Sequence, residues 1–300
     1  MQETPVAETS TLTEKVALFG AIDRVGVTVK PHADRAEYAL RRLLPWLKGR
    51  RLEILLDSGS AQVLGQPDGL TLEEIADRAQ LIIVLGGDGT LLATARYAAV
   101  RSVPVLGVNL GSLGFMTEVT LDEMEETLEE FERGECTMSR RLMLEVRYSG
   151  ATHIVLNDAV VHKATLARIV EMEVRLDGRF MSRFLADGLI CSTPTGSTAY
   201  SLAAGGPILA PELSALILTP ICPHTLTHRP LVLPGDSRLD IRLTTRREDV
   251  FLTLDGQRGV PIGAGEAISV ARAPSSLTLV QAAHKNHFDV LRGKLKWGER

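Results

Sequence analysis

A chain of 300 residues, 45% of them hydrophobic and 23% charged, holds enough apolar material for a substantial core and for two domains more readily than one. Its 33 Lys and Arg against 37 Asp and Glu leave a formal charge of -4, which excludes an overall positive field for drawing in nucleic acid or an anionic membrane. Cys136, Cys191 and Cys222 stand far apart without a CxxC or a zinc-spaced Cys/His set, so neither a disulfide framework nor a structural metal is indicated, and a reducing, cytoplasmic location is expected.

Residues 1–13 are polar and acidic where a signal peptide would be basic and then apolar, and they read as a disordered tail. No apolar run reaches the roughly 20 residues of a membrane span. From residue 14 to 135, short apolar runs alternate with amphipathic stretches, the pattern of a doubly wound α/β domain. The runs Val16 to Phe19, Leu52 to Leu56, Leu81 to Leu85 and Val103 to Val108 predict strands. Ala36, Leu40, Leu43, Leu44 and Leu47 recur at helical spacing, and Thr71 with Glu74 has the form of a capping box. Thr120 and Glu123 repeat it, ahead of a helical face of Leu121, Met124, Leu128 and Phe131 that stops at Gly134.

Beyond Gly134 the helical period fades. Leu142 to Tyr148, His153 to Val161, Ile169 to Leu176, Leu239 to Leu243, Val250 to Leu254, Ile268 to Ala271 and Leu277 to Val280 read as strands, with turns at Asp177-Gly178 and Asp255-Gly256. The expected fold class is therefore α/β plus all-β: a doubly wound amino-terminal domain followed by a β-sandwich-like carboxyl-terminal one. Ala199 to Ala204 interrupt the β pattern as a short helix stopped by Gly205-Gly206.

The segment after the third run carries the first chemistry. Gly86-Gly87-Asp88-Gly89-Thr90 lies between a buried strand and a helix, a layout that offers free N–H groups and the helix dipole to phosphate. A carboxylate is repelled there unless it binds a metal ion or takes a proton, so Asp88 is either a helix cap or a working residue. No P-loop and no GxGxxG is present. After the next strand, Gly107 to Phe115 forms a second glycine-rich segment, in which Phe115 is either a base-stacking ring or an ordinary core residue. In the second domain, Thr193 to Ser201 places five serine and threonine residues around Gly196 at a helix start, suited to phosphate, ribose or amide and equally to a surface turn. Asn157-Asp158 breaks an apolar strand, either as a bulge or as a ligand contact. His224 and His228, bracketed by Pro223 and Pro230, read as loop residues, as do His284 and His287.

Taken together, GGDGT at 86–90, the Asn157-Asp158 pair, DGLICSTPTGSTAYSLAAGGP at 187–207 and PHTLTHRPL at 223–231 resemble the bacterial NAD kinases. The match runs from about residue 80 to 257 and is most specific in the third motif. The resemblance implies transfer of the γ-phosphoryl of ATP, or of polyphosphate, to the ribose 2′-hydroxyl of NAD, with magnesium accompanying the nucleotide. It also implies a homodimer or homotetramer, and a return of residues 275–300 to the first domain. Residue by residue, it makes Asp88 the catalytic base and Gly86, Gly87, Gly89 and Thr90 the phosphate loop. It assigns Asp88, Gly89, Phe115, Asn157, Asp158, Arg168, Asp187, Thr198, Ala199, Tyr200, Ser201, Leu202, Ala203 and Gln257 to the dinucleotide. The chain departs from many members at Asp158, where they carry glutamate, and from some at Leu185, where they carry arginine.

Overall fold

The computed structural model describes residues 22–164, 169–225, 227–244, 250–263 and 265–297. The first half builds β1 (Arg24–Val29), α1 (Ala36–Gly49), β2 (Glu53–Leu56), α2 (Ser58–Val63), α3 (Leu72–Arg78), β3 (Leu81–Gly86), α4 (Asp88–Arg101), β4 (Val105–Asn109), β5 (Val119–Thr120) and α5 (Met124–Glu132). The four main strands are parallel in the order β2-β1-β3-β4. β3 is buried along its whole length, as its uninterrupted apolar run requires when helices cover both faces. α1 presents Ala36, Ala39, Leu40, Leu43 and Leu47 to the core, and Thr71 and Glu74 close a reciprocal capping box at the start of α3.

Two expectations change here. The run Val16 to Phe19 lies outside the described residues, and the first described strand is β1, at residues the sequence pattern had not marked. The Thr120–Glu123 box forms by half: Glu123 accepts from the amide and hydroxyl of Thr120, but α5 starts only at Met124 and no side chain caps it.

The second half continues with β6 (Thr137–Tyr148), β7 (Ala151–Val155), β8 (Asp158–Lys163), β9 (Val170–Leu176), β10 (Arg179–Ala186), β11 (Gly188–Ser192), a 3₁₀ turn at Thr195–Thr198, α6 (Tyr200–Ala203), β12 (Ala215–Ile221), β13 (Leu231–Pro234), β14 (Leu239–Leu243), β15 (Val250–Leu254), β16 (Arg258–Pro261), β17 (Ala267–Gln281) and α7 (His287–Leu295). An antiparallel sheet, β13-β12-β11-β8-β15-β16, packs on the strands β6, β7, β9, β10, β14 and β17 of the larger sheet. Val146, Met172, Val161, Leu218, Leu252 and Ile268 share the core between them, which makes this half a β-sandwich. The hairpin turns at Asp177-Gly178 and Asp255-Gly256 hold both residues at positive φ (50° and 78°; 50° and 65°), the left-handed geometry that matches strand twist.

The run His153 to Val161 is two strands rather than one: β7 pairs with β6 in the large sheet, and β8 lies in the small one. Conversely, Ile268 to Ala271 and Leu277 to Val280 are a single strand, β17, whose pairing with β6 shifts between Arg272 and Ser276. β17 also pairs with β14 at one end and in parallel with β4 at the other, Leu279 against Val105. One 11-stranded sheet thus runs through both halves. Among the described residues, no helix is long and apolar enough to cross a membrane.

Candidate active site

β3 delivers its chain to Gly86, and α4 begins at Asp88. The Asp88 carboxylate does not cap its own helix. It turns to the segment after β4, where Oδ2 accepts from the Phe115 amide (2.8 Å) and Oδ1 accepts from the amides of Met116 (3.0 Å) and Thr117 (3.1 Å) and from the Thr117 hydroxyl (3.1 Å). Buried Asn109, at the end of β4, shapes that segment: its Nδ2 donates to Thr117 Oγ1 (3.0 Å) and its Oδ1 accepts from the Gly111 amide (2.7 Å). Residue 114 must be glycine, because a Cβ there would overlap both Asp88 Oδ1 and Thr117 Oγ1. The second glycine-rich segment is therefore the cradle of the aspartate. Phe115 is half-buried in it, with Lys294 Nζ 5.7 Å from its ring centre.

Gly87 and Gly89 have open space where a side chain would stand, so their backbone is approachable. Gly86 and Gly87 wall a cleft of about 440 Å³ with Lys30, His32, Arg35 and Asn109, at the carboxyl ends of β1, β3 and β4. Open α/β sheets bind ligands at this edge.

A second cavity, of about 400 Å³, belongs to the sandwich and is lined by Asn157, Asp158, His162, Ala199, Tyr200 and Asp255. Its geometry follows from the passage of the chain from β7 into β8. At that corner Asp255 accepts three successive amides, from Leu156 (3.0 Å), Asn157 (2.7 Å) and Asp158 (3.2 Å). From the other side Thr193 Oγ1 donates to the Leu156 carbonyl (2.6 Å), while the Thr193 amide (2.9 Å) and Ser192 hydroxyl (3.1 Å) donate to that of Asn157. The backbone is thereby satisfied, and the side chains of Asn157 and Asp158 are left for the cavity. Asn157 Oδ1 and Thr195 Oγ1 are buried and have no hydrogen-bond partner among the described residues, a need that a ligand can meet.

Burial, with the Asp255 carboxylate second, pushes the Asp158 carboxyl up to about 7. Burial also raises Asp255, against the pull of its three amides and of Arg96. Asp255 has those donors to stabilise its charge, so of this coupled pair Asp158 is the member that carries the proton.

The other candidates from the sequence fall in several places. Ala199 and Tyr200 line the cavity, Tyr200 being 47% exposed. The Thr198 hydroxyl donates to the Thr195 carbonyl (3.3 Å) within the 3₁₀ turn. Ser201 is fully buried against the Thr219 hydroxyl (2.9 Å), and it does not line the cavity; nor do half-buried Leu202 and exposed Ala203. Asp187 forms an ion pair with Lys163 (2.7 Å). Thr90 is half-buried in the first turn of α4, and Arg168 lies outside the described residues. Sequence reasoning missed His162, Thr253 and Asp255. His162 Nε2 is 2.8 Å from Thr253 Oγ1, and both side chains line the cavity. A signal existed: Asp158, Val160 and His162 alternate towards the cavity while Ala159 and Val161 enter the core.

Gln257 closes the arrangement. Its Nε2 donates to the Gly89 carbonyl at 2.6 Å, so the turn that holds the Asn157-Asp158 corner also touches the loop of Asp88. A glycine turn at the edge of a parallel sheet, joined to a largely apolar cavity with a few convergent polar groups in a β-sandwich, defines a two-part nucleotide-binding protein. Residues 25–136 match the family model described as the ATP-NAD kinase N-terminal domain, and residues 156–282 match that of the ATP-NAD kinase C-terminal domain. The NAD kinase of Geobacter metallireducens is 49% identical over 92% of this chain and 99% of its own length, and that of Magnetococcus marinus 42% identical over 93% and 95%. Among solved structures, yeast NADH kinase complexed with NADH aligns with a TM-score of 0.81 at 27% identity, over 93% of this chain and 89% of the other. An NAD kinase from Archaeoglobus fulgidus in complex with ATP aligns with a TM-score of 0.71 at 27% identity, over 91% and 98%. The chain belongs to the ATP-NAD kinase family.

Proposed function

We propose that this chain transfers the γ-phosphoryl of ATP to the 2′-hydroxyl of the adenosine ribose of NAD, producing NADP. The observation that carries the reading is the Gln257–Gly89 hydrogen bond, which sets the aspartate loop beside the 400 Å³ cavity of the sandwich. Phosphoryl transfer asks the protein for alignment, for charge neutralisation and for an acceptor of the hydroxyl proton. Asp88 is the acceptor in this scheme. Its Oδ1 is filled by three donors, while Oδ2 takes one and keeps lone-pair capacity for an incoming hydroxyl.

The adenosine part of NAD occupies the cavity, with Asn157 Oδ1 and Asp158 as its polar contacts and Ala199 and Tyr200 as its wall. A protonated Asp158 can donate to a ring nitrogen, whereas an ionised one can only accept. The cleft of Lys30, His32 and Arg35 receives the triphosphate, the cations offsetting its charge and the Gly86-Gly87 backbone coming close to it. Magnesium travels with ATP as part of the substrate, held mainly by phosphate oxygens, and Asp88 with its four donors stays a proton acceptor. Arg168 and Asp187 serve the rest of the dinucleotide.

We infer two units, residues 14–135 together with 275–300 and residues 136–274: among the described residues Val25, Leu40 and Val280 share one core cluster and Val146, Met172 and Leu252 another, while a third, with Leu91, Met143 and Leu277, joins the two. We further infer a cytoplasmic homo-oligomer. Three free thiols suit a reducing compartment, and Phe180, Leu185, Leu231 and Val232 are exposed apolar side chains on the edge strands β10 and β13. Light scattering on the purified chain measures the assembly. The activity is tested by incubation with ATP, magnesium and NAD followed by an NADP-specific dehydrogenase readout. NADP formed in proportion to enzyme is the expected result, and its absence would reduce the chain to a dinucleotide-binding protein.

A further inference from the structure

Asp255 also lines a separate hollow of about 240 Å³, between α4, β7 and the β15–β16 hairpin. Arg96, Arg101, His153 and Arg258 line it, with Tyr97 as an aromatic wall. The acidic groups that face it are already engaged. Glu73 and neighbouring Asp77 hold Arg101 (3.1 and 2.6 Å), and Asp255 commits its oxygens to the three corner amides.

The side chains of Arg96, His153 and Arg258 are left with no hydrogen bond or ion pair to the described residues, and Arg96 Nε is buried without an acceptor. A buried guanidinium N–H without an acceptor is costly, and half-buried His153 and exposed Arg258 bring two further side chains to the same hollow, where the Arg96 guanidinium also lies 5.3 Å from the centre of the Tyr97 ring. We propose that this hollow binds a small phosphate-class anion, clasped by Arg96 and Arg258 with His153 beside them. Guanidinium forks match the spacing of phosphate oxygens, and the hollow is of phosphate or pyrophosphate size rather than dinucleotide size.

Occupancy has a route to the reaction centre. Arg96 is the cation that supports the Asp255 carboxylate, and Asp255 sets the backbone that presents Asn157 and Asp158. An anion that shares Arg96 loosens or tightens that corner without entering the catalytic cleft, which is a coupling between two sites.

The test is calorimetric titration of inorganic pyrophosphate, without magnesium, into the full chain and into Arg258→Gln and Lys30→Gln. The Arg258 side chain is exposed and makes no hydrogen bond or ion pair to the described residues, so its replacement spares the fold, while Lys30 lines the other phosphate-sized cleft. Loss of one charge-assisted clasp is expected to weaken pyrophosphate at one site about tenfold in Arg258→Gln. Lys30→Gln is expected to leave that site's affinity unchanged. Binding that responds only to Lys30, equal affinity in Arg258→Gln, or no binding to the unmodified chain overturns the proposal.

Discussion

Gln257 Nε2 and the Gly89 carbonyl stand 2.6 Å apart, although 168 positions separate them in the chain. This bond crosses from the sandwich to the loop of Asp88, and so adds a side-chain contact at the site to the β17–β4 pairing that joins the two halves. An exposed hydrogen bond of this kind contributes about 0.5–1.5 kcal/mol. Gln257→Ala should therefore lower kcat/KM for NAD by about threefold to tenfold with an unchanged circular dichroism spectrum. Steady-state kinetics on the variant decides it, and an unaltered kcat/KM would detach the contact from catalysis.

Asp88→Asn removes the proposed proton acceptor and sets an NH₂ group among N–H donors. Turnover should fall at least about 100-fold, the range for a positioned general base. The variant should remain folded but melt earlier, since one of the donors at residues 115–117 loses its acceptor. Single-turnover rates and a melting curve measure the two effects separately, and near-normal turnover would take Asp88 out of the proton-acceptor role.

Gly114→Ala places a methyl group into the contact between Thr117 Oγ1 and Asp88 Oδ1. Overpacking of this kind costs about 1–3 kcal/mol and here also displaces the Asp88 carboxylate, the proposed proton acceptor, so stability and kcat should fall together. Gly111→Ala is the control for stability, because nothing lies within 4 Å of the position a methyl group would take at that residue of the same loop. Equal melting temperatures for the two variants would contradict the cradle.

The Asp158 carboxyl stands at about 7 in the folded chain against an ordinary value of 3.8. Between those values the native state keeps a proton that the unfolded chain has released. Stability from this group is therefore greatest below about pH 4, declines as pH rises towards 7, and stays at its lower value above. Asp158→Asn removes that slope. Urea denaturation at pH 5 and pH 8 should show the variant gaining on the parent chain at the higher pH, and parallel behaviour at both would assign the titration elsewhere.

The motifs that became the site were legible because their chemistry is local. A glycine turn after a buried strand and a hydroxyl-rich turn before a short helix announce themselves within ten residues. What Asp88 does with its carboxylate was not legible, because its partners sit 27–29 positions away and three of the four are backbone amides without side-chain identity. His162, Thr253 and Asp255 were missed for a related reason. They converge only when β8 and β15 pair, Val161 opposite Leu252 and Ala159 opposite Leu254. The alternation in His153 to Val161 runs on through the corner at Leu156–Asn157, so period alone reports one strand where Asp255 makes two. β1 escaped notice because Gly26 and Thr28 interrupt its apolar residues, while its depth in the sheet comes from strands on both sides.

β17 supplies the pairing for the start of β4, Leu279 opposite Val105, and so arrives 174 residues later in the chain (279 less 105). During synthesis the first half's sheet is left with part of one border bare until nearly the whole polypeptide has emerged. Exposed strand borders recruit wrong partners, so the nascent chain is most vulnerable to aggregation over that interval. A ribosome-stalled fragment ending before residue 267 should accordingly engage chaperones longer than one that extends past residue 281.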